Sequence, residues 1–221
     1  MKILFIGLLS ALYISCANGQ SDNPDNSRSQ EITIPDEPFD PSAVDTATFA
    51  GGCFWCMEGA FQQIKGIKAV ISGYSGGNEP NPGYRQVGSG ETGHAESIQI
   101  YYDPKEISYK TLLDVFFVAH DPTQVNRQGP DIGPQYRSAV FYHNEKQKKA
   151  AEEKILELQG AVFAKKIVTE VSPYQGFWPA ESYHQNYEML HPNNPYIQEI
   201  SRPRIEKVRK SFPKLLKAVK K

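Results

Sequence analysis

Two cysteines spaced C-x-x-C fall in the run Gly51-Gly52-Cys53-Phe54-Trp55-Cys56-Met57-Glu58. A strand-like run, Thr46-Ala47-Thr48-Phe49-Ala50, precedes them, and a helix-like run from Met57 to Lys65 follows. A cysteine placed where a strand turns into a helix meets free N–H groups and the positive end of the helix dipole. Both favour the thiolate, so a depressed pKa is expected for Cys53. The only other cysteine, Cys16, lies far to the N-terminal side. Two sulfurs do not staple a domain of this size, so their chemistry is nucleophilic or redox rather than structural. Zinc is a weak alternative: His94 and His184 could complete a ligand set with the two cysteines, but the second paired motif of a structural zinc site is missing.

The other polar residues of interest sit in segments rich in glycine and aromatics, where rigid scaffolds place their sites. Tyr84 is in Gly83-Tyr84-Arg85 and Glu96 ends Thr92-Gly93-His94-Ala95-Glu96, entering a strand. Asp131 and Tyr136 belong to the stretch Gly129–Tyr136, and Glu181, Tyr183, His184, Gln185 and Tyr187 to Ala180–Tyr187.

The elements that must hold these residues follow from periodicity. Strands are expected at Thr46–Gly51, Ile67–Tyr74, Ser97–Tyr102, Arg137–Tyr142 and Ile167–Ser172. One helix is expected over 54–65, with Phe54, Met57, Phe61 and Ile64 on one face. A second is capped by Ser108 and buries Leu112, Val115, Phe116 and Ala119; a third runs from its Asn144 cap to Gln159, with Gly160 as its stop. The resulting order, β-α-β-β-α-β-α-β, is not a clean parallel alternation. It predicts an α+β two-layer sandwich, a sheet with helices on one face, interrupted by long irregular loops.

The chain has 221 residues, 39% hydrophobic and 22% charged, which suits one globular domain with extensions. A net charge of −1 gives no bulk electrostatic case for nucleic acid. Residues 1–19 read as an export signal: Lys2, then an apolar run from Ile3 to Ile14 that is shorter than the roughly 20 residues of a membrane span. Leu12-Tyr13-Ile14-Ser15-Cys16 resembles a bacterial lipoprotein cleavage box, which makes Cys16 the expected lipidation site; ordinary cleavage after Ala17-Asn18-Gly19 is the alternative. Residues 20–45 read as a disordered acidic linker, 46–202 as the catalytic domain and 203–221 as a basic tail with a solvated helix face. The expected location is the bacterial envelope or periplasm, with any membrane contact made through the lipid, and the expected state is a monomer.

The stretches GGCFW at 51–55, TGHAE at 92–96, YYDP at 101–104, GPDIGPQYRS at 129–138 and YHQNY at 183–187 together resemble the peptide-methionine (S)-S-oxide reductase family. The resemblance implies a ferredoxin-like core and reduction of the S epimer of methionine sulfoxide, in proteins or as the free amino acid. It implies no bound cofactor; electrons would come from an external thioredoxin-type dithiol.

Residue chemistry agrees. A sulfoxide sulfur becomes electrophilic when its oxygen is protonated, so the site needs a nucleophile, a proton donor and an apolar slot for the methyl group. Cys53 is the nucleophile. Glu96, desolvated among aromatics, is the expected acid, with Tyr84 and Tyr136 donating to the same oxygen. Phe54 and Trp55 are expected to line the slot, Asp131 to hold the hydrogen-bond network, and Tyr183 and His184 to shape the pocket. The product on Cys53 is a sulfenic acid that another thiol must resolve. Position 56 is often glycine in the family, whose resolving cysteines often lie near the C-terminus, and this chain has no cysteine after Cys56. Cys56 is therefore either the resolving thiol or a small packing residue, with external thiols acting on Cys53 directly. The rival readings are a thioredoxin-like thiol–disulfide oxidoreductase and a non-enzymatic exported binding module.

Overall fold

A computed structural model describes residues 43–218. Cys16, the export signal and almost all of the acidic linker lie outside the described residues. In chain order the principal elements are β1 (Asp45–Gly51), α1 (Phe54–Gln62), β2 (Ile67–Ser75), α2 (Tyr84–Gly88), β3 (Ala95–Tyr102), α3 (Tyr109–Ala119), β4 (Arg127–Gln128), β5 (Asp131–Ile132), β6 (Ser138–Tyr142), α4 (Glu145–Leu158), β7 (Glu170–Pro173), β8 (Phe177–Pro179), α5 (Tyr187–Leu190) and α6 (Arg202–Ser211).

Six strands form one sheet in the order β7-β6-β1-β3-β2-β8, and β4 and β5 form a separate two-residue hairpin. β1 lies inside the sheet, antiparallel to both β3 and β6, with Phe49 opposite Ile98 on one side and Val140 on the other. Among the described residues the only parallel strand pair is β6–β7, whose strands are joined through α4. The α+β class is therefore present, and the expected elements occur in the expected sequence, with the short helix α2 added between β2 and β3 and the β4–β5 hairpin before β6.

Alternation along β1 decides which side is the core. Ala47 and Phe49 face the helices, and the Phe49 ring meets Phe61, Tyr109 and Phe116 at centroid distances of 6.0, 5.9 and 4.9 Å. Ala50 joins Ala95, Ala139 and Phe141 in a separate, smaller cluster. Thr48 instead reaches His143 Nε2 at 2.9 Å, in a polar network with Gln99 and Tyr174. The expected caps form. Ser108 Oγ accepts from the Thr111 N–H at 3.1 Å and Asn144 Oδ1 from the Gln147 N–H at 3.0 Å. Gly160, with φ of +80°, turns the chain away after α4.

Several boundaries differ from the sequence expectation. α1 stops at Gln62, because Ile64 leaves the helix to pair with Leu216. The strand expected at Ile167–Ser172 forms three residues later, and β8 lies in the aromatic segment 173–195, which shows no strand periodicity. The basic segment after residue 202 is not an outlying tail. Arg202, Lys207, Arg209 and Lys210 are solvated, but Arg204 is mostly covered, Ile205 and Val208 of α6 are buried in the core, and Ile205 closes on Gly59 of α1. A chain-level domain edge at 202 therefore cuts through a packed helix.

Two anchors fix the segment 180–187 that follows β8. Gln185 accepts from the Ser72 N–H at 3.0 Å and donates to Ser72 O and Ala180 O at 2.9 and 3.0 Å. Glu58 on α1 accepts the N–H of Asn186, which turns with φ of +55°. Burial pushes the Glu58 carboxyl up to about 8, against the pull of the Asn186 and Tyr187 N–H groups.

A folded-state pKa above the unfolded value stabilises at low pH, and that stability is lost as pH rises toward the folded value. The melting temperature should fall between about pH 5 and pH 9, and Glu58→Gln should flatten the fall. A variant with the wild-type slope would contradict this. Gly73 of β2 offers a second check, since a Cβ there would meet the Phe177 ring and the Trp178 carbonyl of β8. Gly73→Ala should cost roughly 1–3 kcal/mol in chemical denaturation.

Candidate active site

Cys53 sits between β1 and α1 as the N-cap of the helix, with φ of −55° and ψ of 125°. Its carbonyl accepts from the Cys56 and Met57 N–H groups at 3.2 and 3.4 Å, which closes the first turn. Gly52 before it has φ of +87° and abuts the Gln128 side chain, so only glycine fits this approach. Cys53 is 6% exposed and Cys56 is 1% exposed; both are free thiols.

Glu96 reaches this turn from β3. Its Oε2 accepts the Phe54 N–H at 3.0 Å, so the carboxyl lies over the start of α1 beside the nucleophilic sulfur. Burial pushes Glu96 up to about 8; the Phe54 N–H opposes the shift, while Asp131 and Cys56 add to it. A carboxyl raised to that value favours its protonated form at neutral pH.

The two sulfurs differ in a way that the motif alone does not anticipate. Burial pushes the Cys53 thiol well above its ordinary value, and the neighbouring Cys56 and Glu96 push it further. The depressed pKa expected from the helix N-terminus is therefore overturned in the resting site. A dipole acting over one turn does not outweigh full desolvation beside two acidic groups. Cys56 is drawn down to about 7, first by its hydrogen bond with Cys53 and then by Arg204, Ser201 and Tyr196, against its own burial.

Aromatic rings pack around the sulfurs. Phe54 is 1% exposed and lies beneath Tyr84 and His184, at centroid distances of 6.3 and 5.1 Å. It forms the floor beneath these rings, with almost no surface of its own exposed. Trp55 stacks on Tyr187 at 3.8 Å with planes 8° apart. His184 is buried against Trp55, Tyr84 and Tyr183, and burial pulls it down to about 4. It is a neutral plate at physiological pH. Tyr183 is 53% exposed and belongs to the rim. Tyr136 lies in a short helical turn after the β4–β5 hairpin, where burial and the neighbouring Glu96, Tyr84, Asp131 and Cys53 raise its hydroxyl pKa. Tyr84, expected in a loop, starts the short helix α2. The residues singled out in three separate loops thus converge on one site.

Other contacts of the site escape sequence reasoning. Glu181 Oε1 accepts the Tyr84 N–H at 3.0 Å and Oε2 accepts the Tyr74 hydroxyl proton at 2.9 Å, which orients Tyr84. Asp131 is not tied to its own turn. Its Oδ2 accepts from the Tyr196 hydroxyl at 2.7 Å and lies 4.0 Å from Arg204 Nη2. Tyr196 Oη stands 4.0 Å from Cys56 Sγ, and Ser201 Oγ is 2.9 Å from the same sulfur. Tyr196, Ser201 and Arg204 lie where the sequence offers only an irregular segment and a basic run; the Asn194-Pro195 turn signal is the one local hint. Among the described residues no group of three or more His, Cys, Asp or Glu side chains is placed to hold a metal ion, and no helix is long and apolar enough to cross a membrane.

Comparison with known proteins identifies this constellation. The sequence profile described as peptide methionine sulfoxide reductase matches residues 45–216. A peptide methionine sulfoxide reductase MsrA of Sulfolobus acidocaldarius is 49% identical over 170 residues, covering 77% of this chain and 96% of its own. One from Pasteurella multocida is 50% identical over 171 residues, covering 77% and 98%. Among solved structures, reduced Mxr1 of Saccharomyces cerevisiae superposes with a TM-score of 0.66 at 36% identity, over 73% of this chain and 92% of its own. Methionine sulfoxide reductase A of Corynebacterium diphtheriae superposes with a TM-score of 0.62 at 33% identity, over 68% and 76%. A buried cysteine at a helix start, a buried glutamate bonded to the same turn from a neighbouring strand and a ring of aromatics thus stand in a chain that belongs to the peptide methionine sulfoxide reductase family and has that family's enzymatic activity.

Proposed function

We propose that the enzyme reduces the S epimer of methionine sulfoxide, free or within oxidised proteins, and so serves protein repair. The observation that carries the reading is the Glu96 carboxyl, bonded to the N–H of the residue after Cys53 and kept protonated to about pH 8. Glu96 protonates the sulfoxide oxygen, with the Tyr84 and Tyr136 hydroxyls donating to it. The sulfur becomes electrophilic and Cys53 attacks it. The oxygen ends on Cys53 as a sulfenic acid and methionine leaves, so the two-electron balance closes between substrate and thiol. A raised Cys53 pKa suits this order. The thiol stays protonated until a substrate arrives to drive its proton off, which protects it from adventitious oxidation.

Trp55 and the buried, neutral His184 supply apolar surface for the substrate's methyl group, with Tyr183 at the rim. Asp131 holds the polar network beside them. Cys56 resolves the sulfenic acid: its acidity near neutral pH and its place one turn along the same helix support a Cys53–Cys56 disulfide. A thioredoxin-type dithiol then reduces that disulfide. The N-terminal sequence supports export, with Cys16 as lipid anchor, into the bacterial envelope. Labelling with a palmitate analogue should mark Cys16; an unlabelled product beginning at Gln20 would contradict the anchor.

Turnover of separated sulfoxide epimers with dithiothreitol tests the main reading. The S epimer should be consumed and the R epimer left. Cys53→Ser should abolish turnover, and activity surviving in that variant would refute the assignment. Glu96→Gln should lower kcat/KM by about 10²–10⁴-fold. Because the protonated form acts, the wild-type rate should fall as pH rises through about 8, and Glu96→Gln should lose that limb.

A further inference from the structure

Cys56 is enclosed by side chains that the reduction of the sulfoxide does not use. Ser201 Oγ lies 2.9 Å from its sulfur, and Tyr196 Oη approaches from the opposite end of the C-terminal segment at 4.0 Å. Tyr196 gives its own proton to Asp131 Oδ2 at 2.7 Å, so a lone pair of the phenol oxygen remains for the thiol. Arg204 stands beside Asp131, with Nη2 4.0 Å from Oδ2. Its Nη2 donates to the Gln128 carbonyl at 3.2 Å, while its Nη1 is buried without a partner among the described residues, against Gly52. A buried guanidinium with an idle N–H, set beside the turn that carries both sulfurs, favours negative charge there.

We propose that Tyr196 and Asp131 form a proton outlet for Cys56, with Arg204 and Ser201 stabilising the thiolate, and that this relay serves the recycling half of the reaction. The inference rests on the reading of Cys56 as the resolving thiol. As the Cys56 S–H bond breaks, its proton passes to Tyr196 Oη while the Tyr196 proton passes to Asp131. The Cys56 sulfur bonds to the Cys53 sulfur, and the sulfenic hydroxyl leaves as water on taking a proton from Glu96, which regained one from the Cys53 thiol when that sulfur attacked the sulfoxide. One thiol and one sulfenic acid become one disulfide and one water, so no outside oxidant is needed. Burial raises the Asp131 carboxyl against the pull of Tyr196 and Arg204, which makes it a better proton acceptor than an exposed aspartate. The relay also explains why the C-terminal segment docks where it does. α6 and the turn before it bring Arg204, Ser201 and Tyr196 to the sulfur that lies outside the sulfoxide's path.

The test mixes reduced enzyme with one equivalent of S-epimer methionine sulfoxide and no reductant. Methionine release is followed beside disulfide formation, with quenched samples read by mass and sulfenic acid trapped by dimedone. Tyr196→Phe should slow disulfide formation at least about tenfold relative to the methionine burst, with dimedone-trapped Cys53 accumulating. Arg204→Gln should move the pH midpoint of disulfide formation upward, a shift that mere loosening would not produce. The groups facing Cys56 that could share this titration are Cys53, Glu96, Asp131, Tyr196, Ser201 and Arg204. Disulfide formation at the wild-type rate and midpoint in both variants would overturn the relay while leaving Cys56 as the resolving thiol. A wild-type enzyme that holds the sulfenic acid and never forms the 53–56 disulfide would overturn both.

Discussion

The hydrogen bond from the Phe54 N–H to Glu96 Oε2 is the constraint on which the rest of the site depends. It joins the first turn of α1 to the first residues of β3, two elements separated by the whole of β2 and its loop. It fixes a buried carboxyl beside Cys53 and occupies one of the orphan donors of the helix start. The bond is possible because β1 and β3 are neighbours in the sheet, so that Cys53 and Glu96 leave adjacent strands at the same end. Burial supplies the energetics: away from water the carboxyl keeps its proton, and an acid replaces what would otherwise be a repelling charge beside a nucleophilic sulfur.

The same desolvation acts on both thiols and separates them. Burial and the neighbouring Cys56 push Cys53 toward its neutral form, while Cys56, three residues along α1, is drawn down by its hydrogen bond with Cys53 and then by Arg204 and hydroxyl groups, and gives up its proton more readily. Two sulfurs of one C-x-x-C motif thus acquire different work from the charges that surround them. On the proposed reading, Cys53 waits for substrate and Cys56 is ready for the product of the first step. The aromatic wall sustains this difference. Phe54, Trp55, Tyr84 and His184 exclude water from the acid and from the sulfur, and Glu58, Glu181 and Gln185 hold the segment that carries His184 in place.

Much of this was legible in the sequence for definite physical reasons. Cys53 at a strand–helix junction, the caps Ser108 and Asn144 and the alternation of Ser97–Tyr102 are local signals, and local signals survive folding. Glu96, Tyr84 and Tyr136 could be singled out because they lie in glycine- and aromatic-rich segments, where rigid scaffolds place their sites, and because Glu96 and Tyr136 fall in stretches that resemble the reductase family. What escaped was set by long-range packing. The pKa of Cys53 depends on complete burial, which no window of sequence reports. Tyr196, Ser201 and Arg204 reach Cys56 only because α6 docks on α1 and α3, and a basic run with few apolar residues gives little notice of Ile205 and Val208 entering the core. The edge strand β8 is three residues long and held by β2, so its periodicity is too short to detect.

The central claim is that Glu96 is a neutral acid in the resting enzyme. It is tested most directly by following the carboxyl carbon of glutamate by NMR across pH in the wild type and in Glu96→Gln. The resonance absent from the variant should titrate near pH 8, with the carboxyl still protonated at pH 7. A Glu96 resonance already ionised at pH 7, titrating near the ordinary glutamate value of about 4.3, would contradict the account.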